Sequence, residues 1–325
     1  MNQPIFYTWN NMTLATACAD DLQAAQLAQL WQRFFCFEPA APAQANPMMT
    51  LHLVPVSSVP PAVTEPTLAW SNGKSKVWKT RDGLCLQEGT TSLTIDIARS
   101  HAEGVIDAQF WQQPLAAQRD FFLRSLLTLL RRASIYGLHA NGVLQQDHGI
   151  LLIGPSGSGK TTLTLRLVQA GWHYLGDDVV ALRQNGSLVE ALALQHSFAC
   201  TPQTIDFFPD LQRFLRQMLD PARHKRQLTL AAGYTEQFAT HCIPRVLLFP
   251  TITQKLHSRL VALSETQAML KIMAQSAGLL LDSQSAARQT AVLKQLLQQT
   301  TYYQLFLGQD VYAEPATIVN LLGNV

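Results

Sequence analysis

Residues 154–161 are Gly154-Pro155-Ser156-Gly157-Ser158-Gly159-Lys160-Thr161. This stretch, called the phosphate loop below, matches G-x-x-x-x-G-K-[ST] at every fixed position. An apolar strand pattern over residues 150–153 precedes it, and a helical pattern begins at Thr162. Such a loop directs backbone N–H groups and the positive end of the helix at an anion. The pattern predicts nucleotide binding by residues 154–162, with Lys160 on the terminal phosphates and the Thr161 hydroxyl on Mg²⁺.

Bulk composition limits the function classes without selecting one. The 325 residues suffice for about two domains, and 47% hydrophobic with 14% charged residues indicates a globular chain. The net charge of +2 provides no broad attraction to nucleic acid or to a membrane, so we expect neither as a partner.

The cysteines and the first residues bear on the cellular compartment. The five cysteines are scattered, odd in number and without C-x-x-C spacing: Cys18, Cys36, Cys85, Cys200 and Cys242. We therefore expect reduced thiols and a cytoplasmic location. The chain starts without a basic segment followed by an apolar block, so we expect no signal peptide, and its apolar runs are too short to cross a bilayer.

Strand and helix patterns predict an α/β fold with two parts. Residues 1–100 are expected to form a small α+β module with a helix over residues 20–36 and a hairpin around Arg81-Asp82-Gly83. Residues 101–325 are expected to form the domain that contains the phosphate loop. A helix is predicted over residues 114–137, closed by a glycine.

Two adjacent acids follow the phosphate loop. Residues 172–182 predict a strand that carries Asp177 and Asp178. Burying two carboxylates needs a partner, and a magnesium–nucleotide complex is one. Neighbouring strand residues point to opposite faces, so a regular strand would direct only one acid at the site. The alternative interpretation places both acids in an exposed turn.

Residues 138–183 resemble the core of HPr kinase/phosphorylase, and more closely the HPr-kinase-related, serine-kinase-like proteins of bacterial peptide-modification clusters. The resemblance rests on Leu138-His139-Ala140-Asn141-Gly142-Val143, on the phosphate loop and on the stretch from Gly171 to the acid pair. His139 lies 21 residues before Lys160, and Asp178 lies 18 residues after it. The resemblance is weak beyond residue 183 and does not extend to residues 1–100.

The resemblance implies a P-loop kinase core of the HPr kinase and phosphoenolpyruvate carboxykinase type, which uses ATP and Mg²⁺. Asp178 then takes the proton of the acceptor hydroxyl, and Asp177 is the paired acid that holds magnesium or its waters. His139 is the active-site histidine, which orients an aspartate or contacts the γ-phosphate. Lys160 neutralises charge on the phosphates.

The sequence departs from the family pattern in two places. The family has Ser then Glu after the loop lysine, whereas Thr161 and Thr162 stand here. The family's further magnesium-binding glutamate would fall near Gln203, where the nearest acid is Asp206. These departures argue against the reverse, dephosphorylating reaction and against HPr as the acceptor.

Residues 211–228 carry a cluster of basic side chains: Arg213, Arg216, Arg223, His224, Lys225 and Arg226. One interpretation is a solvated helix face or loop. The other, which we adopt as an expectation, is that one of the arginines enters the active site.

Together these patterns predict an ATP- and Mg²⁺-dependent kinase that phosphorylates a serine-type hydroxyl on a protein, a peptide or a small molecule. Residues 1–100 lack a catalytic signature, so we expect them to hold the acceptor. A homo-oligomer is compatible with the sequence. The alternatives are an ATP-hydrolysing or ATP-sensing regulatory protein without an acceptor, and a catalytically silent nucleotide-binding scaffold. An ABC-type ATPase is disfavoured because no L-S-G-G-Q segment is present.

Overall fold

The computed structural model describes residues 3–41, 47–55, 66–230, 233–276, 283–313 and 315–323. Its fold class is mixed α/β with several sheets. The chain forms two units. Unit 1 comprises Met1–Ile135 and Leu280–Ala286, and unit 2 comprises Tyr136–Leu279 and Ala287–Val325.

Unit 1 is built on one large sheet. Its strands are β1 (Ile5–Trp9), β2 (Met12–Ala17), β3 (Glu38–Ala40), β4 (Met49–Val54), β5 (Thr67–Ser71), β6 (Ser75–Lys79), β7 (Gly83–Glu88), β8 (Thr91–Asp96) and β9 (His101–Val105). They lie in the order β3-β1-β2-β4-β9-β8-β7-β6-β5. β4 pairs in parallel with β2 and β9, and the other pairs are antiparallel. The predicted hairpin is confirmed as β6–β7.

Two helices, α1 (Asp21–Phe34) and α2 (Leu115–Leu129), complete unit 1. Asp20 caps α1, because its side chain accepts a 2.8 Å hydrogen bond from the Gln23 amide. Trp31 on α1 meets Phe122 on α2 edge to face, with ring centroids 5.5 Å apart. α2 also packs on β7, β8 and β9. These contacts place α2 in unit 1, so the division of the chain differs from the boundary expected at residue 100.

The helix predicted over residues 114–137 ends earlier than expected. After α2 the chain makes a 3₁₀ turn over Leu130–Ala133, and Ser134 adopts a left-handed conformation with φ 55°. Gly137, which we had interpreted as the helix end, lies instead inside a buried strand. A serine therefore takes the conformation that helix ends usually assign to glycine.

Unit 2 contains three further sheets. Its strands are β10 (Ile135–Leu138, starting at the last residue of unit 1), β11 (Ala140–Gln145), β12 (His148–Ile153), β13 (His173–Gly176), β14 (Val180–Asn185), β15 (Leu188–Ala193), β16 (Phe198–Cys200), β17 (Leu215–Asp220), β18 (Lys225–Leu228), β19 (His241–Cys242), β20 (Pro244–Ile252), β21 (Arg259–Ala262) and β22 (Thr301–Leu307). The sheet orders are β13-β11-β12-β20-β22-β21, β10-β14-β15-β19 and β16-β18-β17. In the six-stranded sheet, β12, β20 and β22 run parallel.

The helices of unit 2 are α3 (Lys160–Gln169), α4 (Pro202–Asp206), α5 (Glu265–Ala274), α6 (Ser283–Gln298), α7 (Asp310–Ala313) and α8 (Pro315–Leu322). α3 is apolar on two faces. Leu163 and Leu167 pack in a core with β12, β20, β22 and α8. Leu165 and Val168 pack in a second core with β16 and the segment around Phe208. Burial on both sides fixes the position of α3 and of the loop before it.

One strand contains a proline. Pro250 lies inside β20, which continues to Ile252 and pairs with β22 over its whole length from Val246. The pairing with β12 ends at Leu248, so on that side no ladder hydrogen bond remains for the proline to interrupt.

Two sequence expectations concern the whole chain. All five cysteines are free thiols, as expected. Within the described ranges, no helix has both the length and the apolar character to cross a membrane.

We predict that Gly176→Ala destabilises the protein strongly. Gly176 has φ 124°, and an added Cβ would lie 2.0 Å from the carbonyl oxygen of Gln195. The strain and the clash together should cost about 3 kcal/mol or more of unfolding free energy. Urea denaturation followed by circular dichroism measures the loss.

Gly186→Ala is the matched control. Gly186 also has a positive φ, of 60°, but its Cβ would meet open space. Only backbone strain remains there, about 1 kcal/mol. Equal losses in the two variants would show that the contact with Gln195 is not what demands glycine at position 176.

Candidate active site

The phosphate loop connects β12 to α3, as the sequence predicted. Gly157 and Gly159 have φ of 85° and 98°, a region that glycine enters without penalty. A Cβ on Gly159 would also lie 2.7 Å from the Leu307 side chain at the end of β22. The loop therefore lies at the carboxyl edge of the parallel strands, where α/β sheets commonly bind ligands.

Lys160 is buried and folds back over the loop. Its Nζ donates to the carbonyl oxygens of Gly154 at 2.6 Å and Pro155 at 3.1 Å. It lies 3.1 Å from His139 Nε2. Burial lowers the pKa of Lys160, an effect that Asp178 and Asp177 oppose. The ammonium group is thus held in place by neutral acceptors that a charged phosphate can replace.

Asp177 is a buried carboxyl group surrounded by donors. Oδ1 accepts hydrogen bonds from the Thr161 hydroxyl and from Asn141 Nδ2, both at 2.8 Å. Oδ2 accepts from the Ala199 amide at 3.0 Å. Burial, followed by the neighbouring charge of Asp178, raises the pKa of Asp177, and the three hydrogen bonds oppose that rise. The carboxyl group joins β11, α3 and β16 at one point.

Asp178 contacts the histidine expected from the sequence. Its backbone φ of 76° is in the left-handed region, and its amide donates to Asn141 Oδ1 at 3.0 Å. Its Oδ1 lies 3.3 Å from His139 Nδ1. A neutral imidazole satisfies both neighbours, because Nδ1–H faces the carboxylate while Nε2 accepts from Lys160. Burial lowers the pKa of His139, which favours this neutral form.

The acid pair does not lie inside a strand, which corrects the sequence interpretation. β13 ends at Gly176 and β14 begins at Val180, so Asp177 and Asp178 form the bend between two sheets. The alternative interpretation, in which both acids lie in an exposed turn, is also wrong, because Asp177 is only 4% exposed. Outside strand geometry, both acids can face the same cleft.

Most of the predicted residues line one cleft of about 330 Å³. The lining residues are Ser156, Gly157, Gly159, Lys160, Thr161, Thr162, Asp177, Asp178, Ala199, Thr201, Gln203, Thr204, Phe207, Lys225 and Ile252. Three predicted loop residues do not line it: Gly154 and Pro155 direct their carbonyls at Lys160, and Ser158 is buried within the loop. His139 reaches the cleft residues through Lys160 and Asp178.

Sequence reasoning missed three contributors to this site. Asn141 is fully buried and bonds to Asp177, to Thr164 and to the amide of Asp178. An amide side chain amid the apolar residues of β11 was the available signal. The Ala199 amide has no sequence signal, because every residue except proline supplies the same N–H.

The third missed contributor is Lys225, and it corrects the expectation that an arginine enters the site. The basic cluster lies on a hairpin of β17 and β18, except for Arg213, which lies in the 3₁₀ helix before it. Arg213 lies over the Phe214 ring, and Arg226 donates to the Arg216 carbonyl at 2.8 Å. Among the described residues, Lys225 is the member of the cluster that lines the cleft.

The oxygen donors of the cleft fit Mg²⁺. This ion typically binds one or two carboxylates, with phosphates and waters as its other ligands. The Thr161 hydroxyl and the carboxylates of Asp177 and Asp178 offer such a set on one surface. Gln203 lines the cleft near the position of the family's further glutamate. Within the described ranges, no group of three or more His, Cys, Asp and Glu side chains could hold a metal.

Comparison with known proteins gives matches among solved structures alone. No protein-family model matches the sequence, and no curated protein matches it significantly. One of the matching structures is the Hpr(Ser) kinase/phosphatase from Coxiella burnetii, with a TM-score of 0.30 and 12% identity. The alignment covers 58% of this chain and 94% of that one. Any assignment of function therefore rests on the geometry of the site.

We predict that Asn141→Ala destabilises unit 2 by about 2–4 kcal/mol. The change removes a donor from a buried carboxyl group and leaves the Asp178 amide without its acceptor, and each such loss costs about 1–3 kcal/mol. Chemical denaturation provides the measurement. Asn185→Ala is the control, since Asn185 donates to Glu190 at the exposed end of β14 and should cost about 1 kcal/mol or less. A loss no larger than the control's would contradict the role of Asn141 as a buried link.

We predict that His139 makes stability depend on pH. Its pKa is lowered in the folded state, so between that lowered value and 6.5 the unfolded chain binds more protons at this site. Unfolding free energy should therefore rise with pH across this window. His139→Asn should flatten that slope in urea titrations run at several pH values.

His173→Asn, which changes an exposed histidine on β13, serves as the comparison and should leave the slope intact. If the His139 variant kept the wild-type slope, burial of this imidazole would not be its cause.

Proposed function

We propose that this protein is a kinase that transfers the γ-phosphate of ATP to a serine-type hydroxyl on a protein, a peptide or a small molecule. One observation carries the proposal: the carboxylate of Asp178 lines the same cleft as Lys160 and the phosphate loop. A site that only bound nucleotide would not need a proton acceptor at that position. The weak fold similarity to a kinase agrees with the proposal but adds no weight to it.

The phosphate loop provides the nucleotide side of the reaction. Its backbone amides and the start of α3 favour an anion. The Lys160 ammonium group can exchange its two carbonyl acceptors for phosphate oxygens. Phosphoryl transfer depends mainly on positioning and on neutralising charge, and these groups supply both.

Thr161 and Asp177 are the residues that would hold Mg²⁺ or its waters. Their oxygens are 2.8 Å apart, and Asn141 and the Ala199 amide fix the carboxyl group from behind. Bound magnesium would neutralise charge on the β- and γ-phosphate oxygens.

Asp178 is the proposed general base. The acceptor hydroxyl gives its proton to the Asp178 carboxylate as the acceptor oxygen forms its bond to the γ-phosphorus, and the bond from that phosphorus to the β–γ bridging oxygen breaks to leave ADP. His139 orients the carboxylate through its 3.3 Å contact. The left-handed backbone of Asp178 turns the residue away from strand geometry and toward the cleft.

This proposal assigns acceptor recognition to residues 1–100, which belong to unit 1. Those residues form most of its large sheet, and no catalytic signature appears in their sequence. The absence of the family's two glutamates disfavours HPr and the reverse reaction, so the acceptor is expected to differ from that of the resembled family.

We predict that Asp178→Asn lowers phosphoryl transfer by about 10²–10⁴-fold, as loss of a general base does, while ATP binding changes little. Asparagine tolerates the left-handed backbone, so the fold is kept. The assay uses γ-labelled ATP with a serine-containing peptide library and with an extract of the native host, and mass spectrometry identifies the products. Lys160→Ala should abolish ATP binding itself.

Asp206→Asn is the matched control, because Asp206 is an exposed acid on α4 outside the cleft lining. It should transfer phosphate at the wild-type rate. If the wild type hydrolysed ATP without labelling any acceptor, and the Asp178 variant hydrolysed it equally fast, the regulatory ATPase would replace the kinase. Binding without hydrolysis or transfer would indicate a silent scaffold.

A further inference from the structure

Lys225 occupies an unusual place in the cleft. It begins β18, and the antiparallel pairing of Cys200 with Arg226 puts it beside Thr201 at the end of β16. The side chain is partly buried and lines the same cleft as Lys160, Asp177 and Asp178. A second ammonium group therefore reaches the space next to the phosphate loop from a different sheet.

Across the described ranges, no hydrogen bond or ion pair joins the Lys225 ammonium group to another residue. Asp220 is the acid paired with it in the hairpin, but that side chain accepts from the Arg223 amide at 3.2 Å and lies 3.8 Å from Arg223 Nε. Asp177 already accepts three hydrogen bonds. A partly buried cation without a counter-charge is suited to an anionic ligand.

Lys225 and Lys160 line the same cleft, and the charge of one affects the other. Burial is the main reason that the pKa of Lys160 is lowered, and the positive charge of Lys225 lowers it further. Two ammonium groups that line one cleft repel each other, and an anion bound between them offsets that repulsion. The phosphate loop fixes where the phosphates of a nucleotide would lie, on the Lys160 side.

The cleft otherwise has few cations for a triphosphate. Of the described residues that line it, Lys160 and Lys225 are the basic ones, and no arginine is among them. Phosphotransferases commonly place a further cation, often an arginine, on the phosphoryl group that moves. A lysine can fill that role as a point charge.

We propose that Lys225 binds the γ-phosphate of the nucleotide and neutralises the phosphoryl group as it is transferred. The inference rests on the proposed function, since it takes ATP as the ligand of the phosphate loop. It assigns to the hairpin of β17 and β18 a part in catalysis that its sequence suggested only as a basic cluster. It also makes the cleft selective for triphosphates over diphosphates.

The experiment measures the affinity of the full-length protein for ADP and for the non-hydrolysable analogue AMP-PNP, both with Mg²⁺, by isothermal titration calorimetry. Lys225→Met should weaken AMP-PNP binding by about 10–100-fold, the usual cost of losing a charge-assisted contact. It should leave ADP binding within about twofold. Lys225→Arg should restore most of the preference for AMP-PNP.

Arg216→Met is the matched control, because it removes one positive charge from the same hairpin at an exposed position on β17 outside the cleft lining. It should change neither affinity. Circular dichroism and thermal melting of each variant establish that the fold is kept.

Two results would overturn the inference. An unchanged ratio of AMP-PNP to ADP affinity in Lys225→Met would mean that Lys225 does not contact the γ-phosphate, as expected if it binds an anionic group of the acceptor. An equal loss for both nucleotides would place its contact on another part of the nucleotide.

These binding measurements do not depend on transfer. A wild type that prefers AMP-PNP through Lys225, yet labels no acceptor, would end the kinase proposal while the inference stood. If the protein phosphorylated an acceptor but Lys225→Met kept the wild-type preference for AMP-PNP, the inference would fail and the kinase proposal would stand. A wild type that bound neither nucleotide would overturn both.

Discussion

The candidate site depends on a carboxyl group that has been removed from water. Burying Asp177 is costly unless its oxygens are satisfied, and three donors from three separate elements satisfy them. β11, α3 and β16 are therefore tied to one point, and none can shift without leaving a buried polar group unpaired. Asp178, the next residue in the chain, is fixed by the same network through Asn141.

Local sequence signals predicted the parts of this protein that local physics determines. The glycine loop between β12 and α3 followed from its pattern, and so did the hairpin of β6 and β7. Ser264 caps α5 with a capping box, in which the side chains of Ser264 and Gln267 each accept from the other residue's backbone amide. Each of these features is decided by residues within a few positions of one another. The site residues quoted from the family resemblance also proved to be neighbours, although their roles stay proposals.

What the sequence did not reveal depends on contacts between distant segments. Asn141 and Asp177 are 36 positions apart, and only the folded sheet brings the amide to the carboxyl group. Lys225 reaches the cleft because β18 pairs with β16. The order of residues in the basic cluster does not predict that pairing. The break after Gly176 was missed because the apolar residues on both sides of the acid pair continue a strand pattern. The chain changes sheets there, and side-chain alternation cannot report such a change.

The position of His139 has a consequence for the order of events at the site. One imidazole touches both the loop lysine, at 3.1 Å, and the carboxylate of Asp178, at 3.3 Å. A ligand that draws Lys160 away from its carbonyl contacts also takes the donor from Nε2. In the proposed kinase, a nucleotide on the phosphate loop would therefore change the hydrogen bonding of the same ring that contacts the proposed general base. Occupancy of the loop and orientation of the Asp178 carboxylate would then be coupled through one side chain.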